Sequence, residues 1–309
     1  MIYSYLKRNV CGEVFFIKLM DAKTYKIKLT GFYLLIIFTV IHASAFCQDT
    51  IPSLKDTVYN PKRPYNITQF LYESHLLLKQ PTTWKANNWL QFGAMVGLSA
   101  AASILDQPVR DATQPNQHFY NSPWIEGGRI YGEWYIIPGM TAVFGTYGAI
   151  SGNDKSKKIA IELFQAGLFS EMMTYILKVS IGRARPFTDE GRYSFRPFAF
   201  KNEYYSFPSG HTTSAWALSA VISSTATKDW IKFAAYIPCG FTMFSRIYQD
   251  YHWISDSFGG AFVGYFVGNW VVDLHSERKH RINVTSMFPP TISISLDEDK
   301  KTAKRIFDN

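Results

Sequence analysis

The apolar positions of the chain recur at helical intervals from about residue 68 onward, with few alternating runs. Apolar residues spaced three and four apart predict helices, whereas strict alternation would predict strands. Six segments rich in small and apolar residues have this pattern: 89–105, 135–150, 158–180, 211–226, 230–248 and 254–274. The pattern therefore predicts an all-α fold, a bundle of about six core helices.

The segments between and around these helices predict the domain organisation. A polar loop, 106–133, follows the first helix, and an aromatic, charged loop, 186–207, follows the third. Weak alternation over 282–296 predicts a short strand. We predict the following division: a signal peptide or membrane anchor at 1–47, a polar lead-in at 48–88, the functional domain at 89–276 and a tail at 277–309.

The amino-terminal region has the features of an export signal. Basic residues in 23–30 precede the apolar run 31–41 and the small residues 43–45. This order is typical of a secretory signal peptide, with the true start at Met20 and cleavage after Ala45 or Cys47. The alternative is an uncleaved anchor, although the apolar run is short for a membrane span. Either interpretation predicts export to the cell envelope.

The composition bears on membrane contact and on the chemical class of the binding partner. Charged residues make up 18% of the chain, below the roughly 25% of a typical soluble domain, which favours membrane contact. The mean hydropathy of −0.08 is low for a chain made mostly of spanning helices. A net charge of +8 suits anionic lipids or phosphorylated substrates. No basic run interleaved with aromatics predicts a nucleic-acid partner, and three cysteines without a CxxC pair predict no metal site.

Three separated cations indicate an anion site. Lys178, Arg185 and Arg246 lie at the ends of apolar helices, where a desolvated lone charge is costly. A phosphate group would offset that cost, because guanidinium forks bind its oxygens in pairs. The segment Pro208-Ser209-Gly210 opens a helix, whose free N–H groups suit an anion, and Ser209 can also cap it.

Two histidines beside this anion site suggest nucleophilic chemistry. His252 and Asp256 are four residues apart, which places them on one face of a helix. A carboxylate can fix the imidazole tautomer and leave the other ring nitrogen to attack phosphorus. His211 would protonate the leaving oxygen and later activate water. Each motif alone is common and has a structural interpretation, such as a helix start or a buried histidine, so the prediction depends on their combination.

The three segments together resemble the signature of the type 2 phosphatidic acid phosphatase (PAP2) and vanadium haloperoxidase superfamily. That signature is K-x6-RP, then PSGH, then SR-x5-H-x3-D, and all eleven fixed positions occur here. The resemblance implies an all-α bundle without a metal or other cofactor. It implies the nucleophile His252, its partner Asp256, the general acid and base His211, and a set of phosphate-binding residues: Lys178, Arg185, Ser209, Gly210 and Arg246.

The resemblance leaves several functions open. The expected one is hydrolysis of lipid phosphates or pyrophosphates, with substrates of the phosphatidic acid, undecaprenyl pyrophosphate or lipid A type. The alternatives are a soluble periplasmic acid phosphatase acting on small esters, a vanadate-dependent haloperoxidase and a lipid-binding protein without activity. Lysines in the loops opposite the motifs, around 155–158 and 228–232, predict a periplasm-facing site if the helices span a membrane.

Overall fold

The computed structural model describes residues 65–276. The predicted signal segment with Met20, most of the polar lead-in, the strand at 282–296 and the tail lie outside the described residues. Intramolecular contacts divide the chain into two compact units. The described part of the first is Asn66–Lys79, and the second contains Tyr65 and residues 80–276.

Helices dominate the described residues and confirm the all-α prediction. In chain order they are α1 Ile67–Thr83, α2 Ala86–Ala102, α3 Asp106–Thr113, α4 Pro123–Tyr131, α5 Ile136–Ser151, α6 Asp154–Ile181, α7 Gly210–Thr225, α8 Asp229–Ala234, α9 Ile237–Tyr248 and α10 Ile254–Leu274. A 3₁₀ turn, Ser103–Leu105, joins α2 to α3. An isolated antiparallel bridge joins Arg183 to Phe195.

The predicted helices are found with shifts of a few residues, but two predictions were wrong. The region 106–133 is not one loop, because it contains α3 and α4. Helix α4 starts at Pro123 after Ser122, whose hydroxyl accepts a hydrogen bond from the Ile125 amide. The predicted helix 230–248 is two helices, α8 and α9, because Pro238 lacks the N–H that a continuous helix needs.

Helices α7 and α10 form the most extensive helix pair, and small residues set their separation. A Cβ on Gly260 would lie 2.4 Å from the Ser209 carbonyl oxygen. A Cβ on Gly264 would lie 2.2 Å from the Thr213 carbonyl oxygen. Glycine at these positions therefore lets the two backbones touch, which brings the start of α7 next to the start of α10.

The end of α6 is a sharp turn that delivers the first motif to the same region. Gly182 caps α6 in the left-handed conformation, with φ of 61°. A Cβ there would also lie 2.0 Å from the Arg196 carbonyl oxygen, so the following loop folds back onto this turn. Lys178 is in the last turn of α6, and Arg183 and Arg185 follow immediately.

Several helices expose apolar faces. On α2 the exposed side chains include Leu90, Val96 and Leu98. Within the described residues, one helical stretch, Ala86–Thr113, is long and apolar enough to cross a membrane, with a mean hydropathy of 1.2. Only 11% of its most apolar window is buried in the protein, so its apolar surface is available to another apolar medium.

Candidate active site

The three predicted cations converge around the His252 imidazole. His252 is buried, and its pKa is well below the ordinary value because of burial and of nearby Lys178, Arg185 and Arg246. The Arg185 and Arg246 guanidinium carbons lie 5.7 and 5.0 Å from the centre of the Tyr251 ring. Residues from the end of α6, the following loop and the end of α9 thus meet at one place.

The guanidinium groups have buried donors without protein partners. Among the described residues, Nε of Arg185 and both Nε and Nη2 of Arg246 are buried and form no hydrogen bond. Burial lowers the pKa of Arg246 to about 10. It also lowers the pKa of Lys178 to about 7, with a further contribution from Arg185. An arrangement of buried, under-neutralised cations is expected to bind an anion strongly.

The PSGH segment forms a capped helix start beside these cations. Ser209 is the N-cap of α7, and its hydroxyl oxygen accepts a hydrogen bond from Thr212 Oγ1 at 3.0 Å. A Cβ on Gly210 would lie 4.0 Å from Lys178 Nζ, so the start of α7 faces that ammonium group. Pro208 directly precedes the cap, and the helix itself begins at Gly210.

The partner of His252 differs from the sequence prediction. Its Nδ1 lies 2.7 Å from the Ser206 carbonyl oxygen and 3.7 Å from Asp256 Oδ2. His252 lies before α10, whereas Asp256 is in its first turn, so the two do not share a helix face as predicted. The backbone carbonyl of Ser206 is therefore the direct contact, and it favours the tautomer that carries a proton on Nδ1.

Asp256 organises the backbone around His252 instead. Its Oδ2 accepts hydrogen bonds from Ser206 Oγ at 2.5 Å and from the Trp253 amide at 2.8 Å. Its Oδ1 accepts one from Arg183 Nη1 at 2.6 Å. The carboxylate thus links the residues on both sides of the imidazole, including the one whose carbonyl contacts Nδ1.

Arg183 and Asp106 extend this buried network, and neither is a fixed position of the sequence motifs. Arg183 Nη2 donates to Asp106 Oδ2 at 2.6 Å, and Asp106 also accepts hydrogen bonds from the Ser255 amide and hydroxyl. The Arg183 side chain is 4% exposed. Its place two residues before Arg185 could have drawn attention, but no local signal connects Asp106 to α10.

His211 lies between an acidic and a basic side chain. Its Nε2 is 3.5 Å from Glu133 Oε1 and 3.5 Å from Arg246 Nη1. Burial lowers the pKa of His211 to about 4, while Glu133 acts in the opposite direction. Glu133 was within the predicted polar loop and had no motif to identify it.

The arrangement brings all eight predicted site residues into one region. The cations, the α7 start and the two histidines form a largely buried polar cluster within the helical domain. Within residues 65–276, no group of three or more His, Cys, Asp or Glu side chains has the arrangement of a metal site.

Comparison with known proteins agrees with the resemblance of the motifs. Residues 160–280 match the model of the PAP2 superfamily, the family whose signature the three motifs resemble. The chain is 37% identical over 112 residues to a lipid A 1-phosphatase of Rhizobium etli, covering 35% of this chain and 47% of that protein. It is 38% identical over 92 residues to a lipid A 1-phosphatase of Porphyromonas gingivalis, covering 27% of this chain and 20% of that protein.

The matched segments span less than half the length of these relatives. Among solved structures, the chain is similar to a transmembrane PAP2-type phosphatidylglycerolphosphate phosphatase from Bacillus subtilis, at 21% identity and a TM-score of 0.36. That comparison covers 70% of this chain and 98% of the other. The TM-score is below the value that indicates a shared fold.

Proposed function

We propose that this protein is a metal-independent phosphatase that hydrolyses lipid phosphate monoesters or pyrophosphates through a phosphohistidine intermediate. The observation that carries the proposal is the set of buried, unpartnered donors of Arg185 and Arg246 beside His252, among the described residues. Each charge-assisted hydrogen bond to a phosphate oxygen would contribute about 1.5–3 kcal/mol. The proposed phosphate-binding residues are Lys178, Arg185, Ser209, Gly210 and Arg246.

The first chemical step would transfer the phosphoryl group to His252. With the Nδ1 proton donated to the Ser206 carbonyl, Nε2 carries the lone pair that attacks phosphorus. A P–N bond forms while the bond from phosphorus to the leaving oxygen breaks. The negative charge of the bound phosphate would favour protonation of His211, and the protonated imidazole would give its proton to that oxygen, so the product leaves as an alcohol or a phosphate.

The second step would release phosphate. Neutral His211 takes a proton from a water molecule, whose oxygen attacks phosphorus as the P–N bond breaks. His252 regains its lone pair and His211 is again protonated. The cations contribute in both steps, because negative charge builds on the phosphoryl oxygens that they would contact. Asp256 would act by holding the backbone on both sides of His252.

Similarity to lipid A 1-phosphatases favours a lipid A type of substrate over the phosphatidic acid and undecaprenyl pyrophosphate types. The apolar exposed surface of Ala86–Thr113 is consistent with an enzyme that acts at a membrane. We place the protein in the cell envelope, with its site facing the periplasm. A soluble periplasmic acid phosphatase remains the alternative, and substrate preference separates the two.

Phosphate release from a substrate panel tests the proposal. The full-length protein in detergent is given lipid A, phosphatidic acid, undecaprenyl pyrophosphate and glycerol phosphate. We expect turnover of a lipid substrate, reduced more than about 10³-fold in His252→Ala. His75→Ala is the control, because His75 has no motif and lies on α1. Preference for glycerol phosphate would favour the soluble alternative, and no release from any substrate would refute the enzyme.

A further inference from the structure

Glu133 contacts the proposed acid and base from outside the three motifs. Its Oε1 lies 3.5 Å from His211 Nε2, and its side chain is 16% exposed. The pKa of Glu133 is lowered, chiefly by its contact with His211 and also by Arg129 and Arg246. Glu133 is therefore a carboxylate at neutral pH and presents a negative charge to the ring that would cycle between protonated and neutral forms.

The backbone holds Glu133 in this place. A Cβ on Gly132, the preceding residue, would lie 2.5 Å from the His211 carbonyl oxygen, so this segment touches the start of α7. A Cβ on Gly128 would lie 2.4 Å from the Phe241 carbonyl oxygen, so α4 touches α9 in the same way. Both neighbours of the segment carry a motif residue, His211 on α7 and Arg246 on α9.

A chain of side chains also holds the Glu133 carboxylate. Arg129 Nη1 contacts Glu133, and Arg129 Nε donates to Glu126 Oε2 at 2.8 Å. Glu126 Oε1 accepts a hydrogen bond from Gln249 Nε2 at 3.1 Å. Gln249 lies three residues before His252 in the sequence. Arg129 fixes the position of Glu133. The Glu133 carboxylate therefore lies close to both the Arg129 guanidinium and the His211 ring.

We infer that Glu133 is the positioning residue of the acid and base step, holding His211 and stabilising its protonated form. The inference rests on the proposed phosphatase function. The charged or titratable groups that face His211 are Glu133, Arg246, Lys178 and His252, and Glu133 is the acidic one among them. Without it, His211 would face two cations and the neutral His252 ring but no negative charge among these groups, and its imidazolium would lose a proton at lower pH. Glu133 does not change protonation in either step.

Leaving-group dependence tests this role. Nitrophenolate leaves phosphorus without needing a proton, whereas an alkoxide needs one, so hexyl phosphate depends on protonated His211 more than 4-nitrophenyl phosphate does. We expect Glu133→Gln to slow hexyl phosphate hydrolysis about 10–100-fold and 4-nitrophenyl phosphate hydrolysis about threefold or less. The basic limb of kcat, which reports the enzyme–substrate complex, should move about one pH unit lower. Glu133→Asp, which keeps the charge, should recover part of both changes.

Two further variants sharpen the test. Asp229→Asn removes an exposed carboxylate of α8 that pairs with Lys232, and should leave the ratio of the two rates unchanged. Arg129→Gln removes the cation that pairs with Glu133, so the Glu133 carboxylate would stabilise the His211 imidazolium more strongly. The basic limb should then move to higher pH. This opposite shift keeps the inference testable if Glu133→Gln does not fold.

The outcomes separate this inference from the proposed function. A wild-type protein that releases phosphate from neither these esters nor the lipid substrates would overturn both. An active wild-type protein, with both esters slowed equally in Glu133→Gln and no shift of the pH limb in Glu133→Gln or Arg129→Gln, would overturn this inference alone. In that case Glu133 would serve only to hold α4 against the neighbouring helices.

Discussion

At the residue scale, the two histidines differ in the group that contacts each ring. The Nδ1 of His252 contacts a neutral carbonyl oxygen, whereas the Nε2 of His211 faces the Glu133 carboxylate. A carbonyl orients the ring with little stabilisation of a positive charge, and a carboxylate does both. The contacts therefore favour a neutral imidazole at 252, as a nucleophile needs, and a ring at 211 that can hold a proton.

This difference predicts the acid limb of the pH profile. Burial and the neighbouring cations hold the pKa of His252 well below its ordinary value of about 6.5. The neutral form exists above the shifted pKa, so the nucleophile should persist into acid solution. We expect the acid limb of kcat/KM, after correction for the separately measured ionisation of the ester, to lie well below pH 6.5. An acid limb at or above pH 6.5 would contradict this assignment.

The residues that carry motifs were predictable, and their supporting residues were not. The motif spacing identified His252, Arg185 and Arg246 because those residue types rarely combine at such intervals by chance. Glu133 and Asp106 have no such signal, since each meets its partner only after the chain returns from a distant helix. The Ser206 carbonyl could not be anticipated either, because any residue carries one.

At the scale of elements, Arg183 links the starts of two helices. It bridges Asp106, the first residue of α3, and Asp256, in the first turn of α10. Both carboxylates are buried, and each also accepts backbone or hydroxyl hydrogen bonds. Losing the guanidinium would leave two buried carboxylates without their cation, which costs far more than losing an exposed ion pair.

Arg183→Met tests the importance of this link for stability. We expect it to lower the free energy of unfolding by about 3–5 kcal/mol, because it leaves the buried Asp106 and Asp256 carboxylates without their cation. Arg196→Met is the control, since the Arg196 ion pair with Glu190 is exposed and should contribute about 0–1 kcal/mol. Denaturant unfolding of both variants in detergent measures the difference. Equal destabilisation of the two variants would show that the buried network is not what holds these helix starts together.

The helices themselves were largely predictable. Helix α10 has the predicted bounds because its apolar run starts after a capped turn and ends where polarity rises. The division of 230–248 at Pro238 could have been inferred from the proline. Helices α3 and α4 were missed because each is only eight or nine residues long, too short for a periodic pattern to be distinctive. Tertiary contacts of Asp106 and Gly128 hold them in place.

At the scale of the whole molecule, the low fraction of charged residues and the modest mean hydropathy are both consistent with membrane contact, because of where the polar and apolar side chains lie. The described residues contain one stretch suited to span a membrane, Ala86–Thr113, and its apolar side chains are largely exposed. Polar residues instead concentrate in the buried site, where Arg183, Asp256 and His252 lie. A chain with a polar interior site and apolar exposed helices can have average hydropathy and still prefer a lipid environment.

Membrane fractionation tests this preference. We expect the full-length protein to stay in the membrane pellet after carbonate extraction. Leu90→Lys/Val96→Lys, which places charges on the exposed face of α2, should shift it toward the supernatant, since each central lysine costs about 2.5–3.5 kcal/mol in a bilayer. Lys155→Ala, in the first turn of α6, is the control for a changed surface charge. Wild-type protein in the supernatant would contradict membrane association.

The sequence by itself determined the helical class, the resemblance to the PAP2 signature and the eight candidate site residues, because periodicity and motif spacing are local properties of the chain. Only the tertiary structure decided which groups touch each imidazole: the Ser206 carbonyl at His252 and Glu133 at His211. It also decided that Asp256 contacts Arg183 and the Trp253 backbone amide. These contacts depend on how closely α4, α7, α9 and α10 pack, and backbone separations of that kind have no signature in residue spacing.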